Sequence, residues 1–364
     1  MTKDARAKKV VRRHARDTGQ RYTEALTRLE GLEARIFHEP VGERLLAHLR
    51  RHHGIDAVAA VRISQHNDHV FRIDRGDGAP WIARVFPPAR PRAGAEGDAA
   101  ILRFLERRGY PAERLAVDEA VSTFDGSSVL VTQHIDGRLL PSPAAGAEGV
   151  EKLAIMGDLL GRLHALVPDG SVTRPGGASG EDPTREGSPR QDLLAALAFL
   201  DAVDTLVAPA TRERFDRLRE QVRAADDGHG LPEALVHGNL LHAPDHVIVG
   251  DDGPVAIQWK AAGRGPRLAD LAYLMWGTWL DADWIDAAVG AYRRHVEPTD
   301  DELDRLEGVM TLRPLYLAAF DWRRALAGGH QPTREDTWWG EPDPAYISAA
   351  AAATRAAFRR APGG

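Results

Sequence analysis

No part of this chain constrains its fold more tightly than the stretch Leu235-Val-His-Gly-Asn-Leu-Leu-His-Ala-Pro-Asp-His-Val-Ile-Val249, followed by Ala256-Ile-Gln-Trp259. Short apolar runs bracket a loop of imidazoles and amides, and Asp251-Asp-Gly253 reads as a turn between two strands. Two polar side chains at the strand ends, those of Asn239 and Gln258, are neutral amides. An amide accepts a hydrogen bond but takes no proton at neutral pH.

With 364 residues and 43% hydrophobic content, the chain can bury a substantial core divided into two or three lobes. No apolar run approaches the roughly 20 residues of a membrane helix, and the first residues are charged rather than signal-like, so a cytoplasmic location is expected. The absence of cysteine excludes disulfides, thiolate nucleophiles and cysteine-ligated metals.

Charge is unevenly spread. Residues 1–37 carry ten Lys or Arg against five acids, so the net charge of −6 leaves the remainder near −11. Lys8, Lys9, Arg12, Arg13 and Arg16 form a basic helical stretch, followed after Gly19 by a short apolar face of Tyr22, Leu26 and Leu29. This extension is predicted to pack on the adjacent lobe, with docking to nucleic acid or an acidic partner as the functional alternative.

Downstream, Val70-Phe-Arg-Ile73 and Trp81-Ile-Ala-Arg-Val-Phe86 alternate around Gly76-Asp-Gly78 and predict a hairpin. Leu153, Met156, Leu160, Leu163 and Val167 predict an amphipathic helix over 151–167. Residues 169–190 read as a mobile loop, poor in large apolar side chains. Trp276, Trp279, Trp284 and Trp322 are placed on helices, mostly as core, whereas Trp338-Trp339 lies in a Pro-containing segment suited to an interface.

The central stretch resembles the aminoglycoside phosphotransferase and choline kinase family, which is similar to protein kinases in fold and reads His-Gly-Asp-x-x-x-x-Asn, a short strand, then Ile-Asp-Trp. His237, Gly238, Ile257 and Trp259 match; the catalytic Asp falls on Asn239, the metal-binding Asp on Gln258, and the Asn on Pro244 or His246. The resemblance runs from about residue 40 to 330. It implies an α+β, two-lobed, protein-kinase-like fold: an N-terminal lobe over 38–135 with an antiparallel sheet and helix, and a helical lobe over 136–335 carrying the degenerate catalytic loop. Residues 1–37 and 336–364 would be a basic extension and a C-terminal tail.

It further implies that Arg84 stands for the phosphate-contacting base, with Glu96 as ion-pair partner, and that main-chain groups near Gln133, His134 and Ile135 face an adenine ring. The loop Ser64-Gln-His-Asn-Asp-His69, which would cover phosphates, holds no glycine. Asp270, which braces the catalytic loop in the family, is retained in Arg267-Leu-Ala-Asp-Leu-Ala272, whereas His164 is read as structural.

Phosphoryl transfer asks the protein mainly to place charge: an acid to orient the attacking hydroxyl, and anionic ligands to hold Mg²⁺. The leading expectation is therefore a pseudokinase with a binding, scaffold or regulatory role in a biosynthetic or modification pathway; no cofactor is assigned, and ATP and Mg²⁺ stay open as ligands. Its partner would be a protein or a small molecule in the interlobe cleft. Two alternatives stay open. One is an active ATP- and Mg²⁺-dependent phosphotransferase on a small-molecule hydroxyl, using substitute acids from Asp245, Asp251 or Asp252 with His246 as ligand. The other is a nucleic-acid-binding regulator acting through residues 1–37.

Overall fold

The structure, a computed structural model, describes residues 41–64, 69–88, 90–140, 146–176, 188–240, 246–333 and 343–360. The basic stretch within 1–37, the loop residues 65–68, Asp245 and Trp338-Trp339 lie outside the described residues. The chain divides into two compact units: residues through Pro88 with Ala116–His134, and Ala89–Leu115 with the chain from Ile135 onward.

The first unit is an antiparallel sheet with one helix. Helix α1 (Val41–His53) buries Leu45, Leu46 and Leu49, and lies against strand β1 (Ala57–Ser64). Strands β2 (His69–Arg75) and β3 (Trp81–Val85) form the expected hairpin, with Phe71 opposite Ala83 and Ile73 opposite Trp81. Their alternation places Phe71, Ile73, Trp81, Ala83 and Val85 in the core. In the second unit, helix α2 (Arg92–Arg107) buries Ala95, Asp98, Ala99, Ile101, Leu102 and Leu105, one face of a 3.6-residue period. Back in the first unit, β4 (Val121–Phe124) and β5 (Ser127–Gln133) complete the sheet order β1-β2-β3-β5-β4.

Strand β6 (Arg138–Leu139) belongs to the second unit and pairs with a later hairpin. Helix α3 (Ala147–His164) carries the predicted apolar stripe, but ends before Val167, which is 75% exposed. Pro168 follows Val167, and the residue before a proline is pushed out of helical geometry. Helices α4 (Pro189–Asp201) and α5 (Arg212–Ala224) come next, the first capped by Ser188 Oγ, which accepts from Gln191 N.

Strand β7 (Glu233–Val236) ends at the central stretch, and β8 (Val247–Gly250) and β9 (Gly253–Ala256) follow as a hairpin with Asp251 and Asp252 exposed at its turn. β6, β8 and β9 form one small sheet; β7 pairs antiparallel with β10 (Gly263–Pro266), Val236 opposite Gly263.

Helices α6 (Arg267–Trp276), α7 (Ala282–Arg293), α8 (Asp300–Met310), α9 (Leu312–Ala327) and α10 (Pro344–Arg359) complete the unit. α3 and α7 approach closely because Gly157 and Gly161 present no side chain: a methyl on Gly157 would run into the Ala288 carbonyl, and one on Gly161 would lie 2.7 Å from that of Tyr292. The start of α6 is held by Arg267, whose guanidinium donates to both Glu302 oxygens at 2.7 and 2.6 Å, while Glu302 also closes a capping box with Thr299.

Trp276, Trp284 and Trp322 are buried as expected. Trp279 is not on a helix: α6 stops at Trp276, and Trp279 and Leu280 take left-handed backbone at φ 54° and 62°. The Trp279 ring is 56% exposed and touches the rings of Trp276 and Tyr346. Among the described residues, no helix is long and apolar enough to cross a membrane.

Candidate functional site

The site is built at the end of β7, inside the second unit. His237 and Gly238 leave the strand with their backbone N–H groups aimed at one carboxylate: Asp270 Oδ2 accepts from His237 N at 2.6 Å and Oδ1 from Gly238 N at 2.8 Å. Gly238 sits at φ 76°, the left-handed region in which a Cβ is penalised, so this turn favours glycine. Asp270, on the first turn of α6, is itself backed by His164, whose Nε2 lies 3.5 Å from Oδ2. Tyr292 OH donates to His164 Nδ1 at 2.9 Å, and burial pushes the Tyr292 hydroxyl pKa up, keeping it a donor. His164 thus supports the brace from behind, in line with its structural reading.

The His237 ring is fully buried and points back under the loop, with Nε2 donating to the Ile257 carbonyl at 3.0 Å and the ring packed edge-on against Trp259. Burial lowers its pKa, outweighing the attraction of Asp270 for the charged form. His237 therefore joins two segments of the site as a neutral ring.

Asn239 is the next residue. Its Oδ1 accepts from Arg313 Nη2 at 3.1 Å, and its Nδ2 donates to His246 Nε2 at 2.9 Å. Both ends of the amide are engaged. Arg313 comes from α9 and is 5% exposed, with its guanidinium 5.2 Å from the Tyr273 ring centre. His246 is buried just before β8, and its carbonyl accepts from Ile257 N at 2.9 Å. A cavity of about 40 Å³ lies beside this group, lined by Gly238, Asp270, Tyr273, Arg313, Asp192 and Met310 among others.

Gln258 takes left-handed backbone at φ 69°, ψ 57°, unusual for a residue that is neither Gly nor Asn. Its N–H donates to Glu113 Oε1 at 3.0 Å, and the Trp259 indole that follows donates to the Ala256 carbonyl. The loop beyond is fixed by Arg174, which donates to the carbonyls of Ala262, Trp259 and Gly94 at 2.6, 2.9 and 2.9 Å. Arg174 and Arg90 share Asp98 on α2 at 2.7 and 2.8 Å. Burial alone would raise the Asp98 carboxyl pKa, but the two guanidinium groups outweigh it and hold it below the usual range. Residues 172–176 are therefore anchored rather than the free loop expected over 169–190, because a buried arginine ties them to three backbone carbonyls.

Of the other expected site residues, Glu96 is exposed on α2 and pairs with Arg92 at 2.8 Å; the buried acid of that helix is Asp98. Arg84 is buried in β3 of the first unit, opposite Leu130 of β5 and Val70 of β2. Gln133 ends β5 exposed, and the His134 N–H donates to the Pro80 carbonyl at 3.1 Å, so this amide is already used. Asp251 and Asp252 are solvent-facing turn residues, as their spacing reads.

Among the described residues the donor set does not fit Mg²⁺: Asn239 and Gln258 present amides, and no group of three or more His, Cys, Asp or Glu is placed to hold a metal ion. Arg313, Arg174, Asp98 and Glu113 are residues that sequence reading passed over. Arg313 left one signal, a lone charge in Leu312-Arg-Pro-Leu-Tyr-Leu317, an otherwise apolar helical run.

A family model described as the phosphotransferase enzyme family matches residues 57–308. Solved structures share the fold at low identity. A choline/ethanolamine kinase family protein from Mesorhizobium loti superposes with a TM-score of 0.54 at 20% identity, covering 83% of this chain and 94% of its own. Spectinomycin phosphotransferase in complex with ADP and spectinomycin gives 0.54 at 14%, covering 86% and 98%. Amicoumacin kinase, in complex with AMP-PNP, Ca²⁺ and Ami, gives 0.53 at 15%, covering 73% and 81%. No curated protein sequence matches this chain.

Proposed function

This chain belongs to the phosphotransferase enzyme family, and from that premise we propose that it is a pseudokinase: a kinase-like fold that binds a ligand or partner without transferring a phosphoryl group. One observation carries the reading. The side chain at the catalytic position is an amide whose oxygen and nitrogen are both engaged, by Arg313 and His246. A general base must have a lone pair available to take a proton, and an amide nitrogen has none at neutral pH.

The metal-position residue Gln258 adds an independent loss, since Mg²⁺ on phosphates is usually held through one or two carboxylates. Meanwhile the scaffold that would serve those acids persists: Asp270 still clamps His237 and Gly238, and Arg174 still fixes the loop after Trp259. Retained bracing around neutral reactive positions supports a fold kept for binding. The partner would be a protein, or a small molecule held in the second unit, and the ten Lys or Arg among residues 1–37 would favour an acidic or nucleic-acid partner.

ATP turnover with Mg²⁺ or Mn²⁺, measured for the parent protein and for Asn239→Asp/Gln258→Asp, tests this reading. The parent should show no metal-dependent turnover, and turnover confined to the double variant would identify a decayed active site. Metal-dependent turnover in the parent would overturn the proposal.

A further inference from the structure

Three polar groups meet in the second unit at position 239, and their chemistry fixes more than the distances do. The Arg313 guanidinium has five N–H donors and no acceptor, so the atom of Asn239 that faces its Nη2 at 3.1 Å must be the amide oxygen. The amide orientation follows from that contact alone. Nδ2, a donor only, then faces His246 Nε2 at 2.9 Å, and that nitrogen must accept. A neutral imidazole with Nε2 accepting carries its proton on Nδ1.

We infer that Arg313, Asn239 and His246 form a directional clamp that selects an amide at position 239 and occupies the Nε2 lone pair of His246, so that neither ring nitrogen can bind a metal. Arg313 acts here as a positioning residue. The inference rests on the pseudokinase reading and deepens it: His246 is, with Pro244, one of the two positions on which the resemblance places the family's Asn, and its ligating electron pair is committed to Asn239.

The clamp also explains why an amide suits this position. A carboxylate at 239 would satisfy Arg313 but set an acceptor against an accepting Nε2, forcing His246 to its other tautomer. An alanine or leucine would remove one hydrogen-bond partner from each of the two buried neighbours. Asn239 is then the side chain that its two neighbours require, as well as a lost acid.

Long-range ¹H–¹⁵N correlation spectra of the histidine rings of the full chain at one neutral pH test this, with the His246 signals assigned by their loss in His246→Gln. In the parent, Nε2 of His246 should appear unprotonated and Nδ1 protonated. In Asn239→Asp the proton should move to Nε2. In Arg313→Met, which frees the amide to turn over, the Nε2-protonated form should grow. Should Asn239→Asp not fold, the parent tautomer and Arg313→Met still decide. Mn²⁺ alone, added in equimolar amount, should leave the His246 resonances unbroadened.

A parent His246 already protonated at Nε2, a tautomer indifferent to Arg313→Met, or selective broadening by Mn²⁺ would overturn the clamp. The first two outcomes leave the pseudokinase reading standing if ATP turnover is absent. Turnover in the parent with the expected tautomer would sink that reading and leave the clamp.

Discussion

Asp270 Oδ2 accepts the backbone N–H of His237 at 2.6 Å, and through this contact one carboxylate sets the direction in which the chain leaves β7. Its other oxygen takes the Gly238 N–H at 2.8 Å, so the acid satisfies two buried donors that no strand partner reaches. Hydrogen bonds to a charged group are worth about 1.5–3 kcal/mol each. Asp270→Asn keeps one acceptor and turns an N–H₂ toward a donor. We expect it to lower unfolding free energy by at least about 2 kcal/mol, read from denaturant midpoints at constant slope. A loss within about 0.5 kcal/mol would show that the loop holds itself.

Gln258 carries backbone strain at φ 69°. Holding a long side chain in the left-handed region costs about 1–3 kcal/mol, and Asn tolerates it better. Gln258→Asn should therefore raise the melting temperature. A lower one would mean that the Gln258 side chain makes contacts worth more than the strain.

The α3–α7 contact should be intolerant of a single methyl. Gly157→Ala places carbon against the Ala288 backbone oxygen, and backbone cannot yield as a side-chain tip can. Overpacking of this kind costs about 1–3 kcal/mol. Gly290→Ala on α7, which meets nothing within 4 Å, serves as the control and should not destabilise.

Acid should weaken the protein before its carboxylates titrate. Burial lowers the pKa of His237 in the second unit, and burial with the neighbouring His52 and His48 lowers that of His53 in the first, to about 4. Below the unfolded histidine value of about 6.5 the unfolded chain binds more protons than the folded one, so stability falls with pH in that window. Melting temperature should drop from pH 7 to 5, and His53→Gln should flatten the slope. The carboxyls held below their usual range, such as Glu302 beside Arg267, add their loss only below about pH 4.

Much of this was legible in the sequence because it rests on local pattern. Alternation around Gly76-Asp-Gly78 marked the β2–β3 hairpin, and the Leu153 to Leu163 spacing marked α3. The family match over 57–308 and the kinase-like neighbours agree with the fold read from His237, Gly238, Ile257 and Trp259. What escaped reading were partnerships across long sequence separations. Arg313 lies 74 residues from Asn239, and Arg174 lies 85 from the Trp259 carbonyl it holds; no local periodicity encodes either. On α2 the resemblance gives Glu96 as the partner of Arg84, whereas helical phase places Asp98 inward with Ala95 and Leu102 and leaves Glu96 in solvent beside Arg92. Trp279 is expected on a helix with Trp276, but Gly277 ends α6 between them.

The central claim is that the site cannot hold a metal on nucleotide phosphates, and calorimetric titration of the full chain with ATP, with and without Mg²⁺ or Mn²⁺, tests it most directly. The account predicts no binding, or binding that is indifferent to the metal. Saturable micromolar binding that appears only with the metal would contradict it.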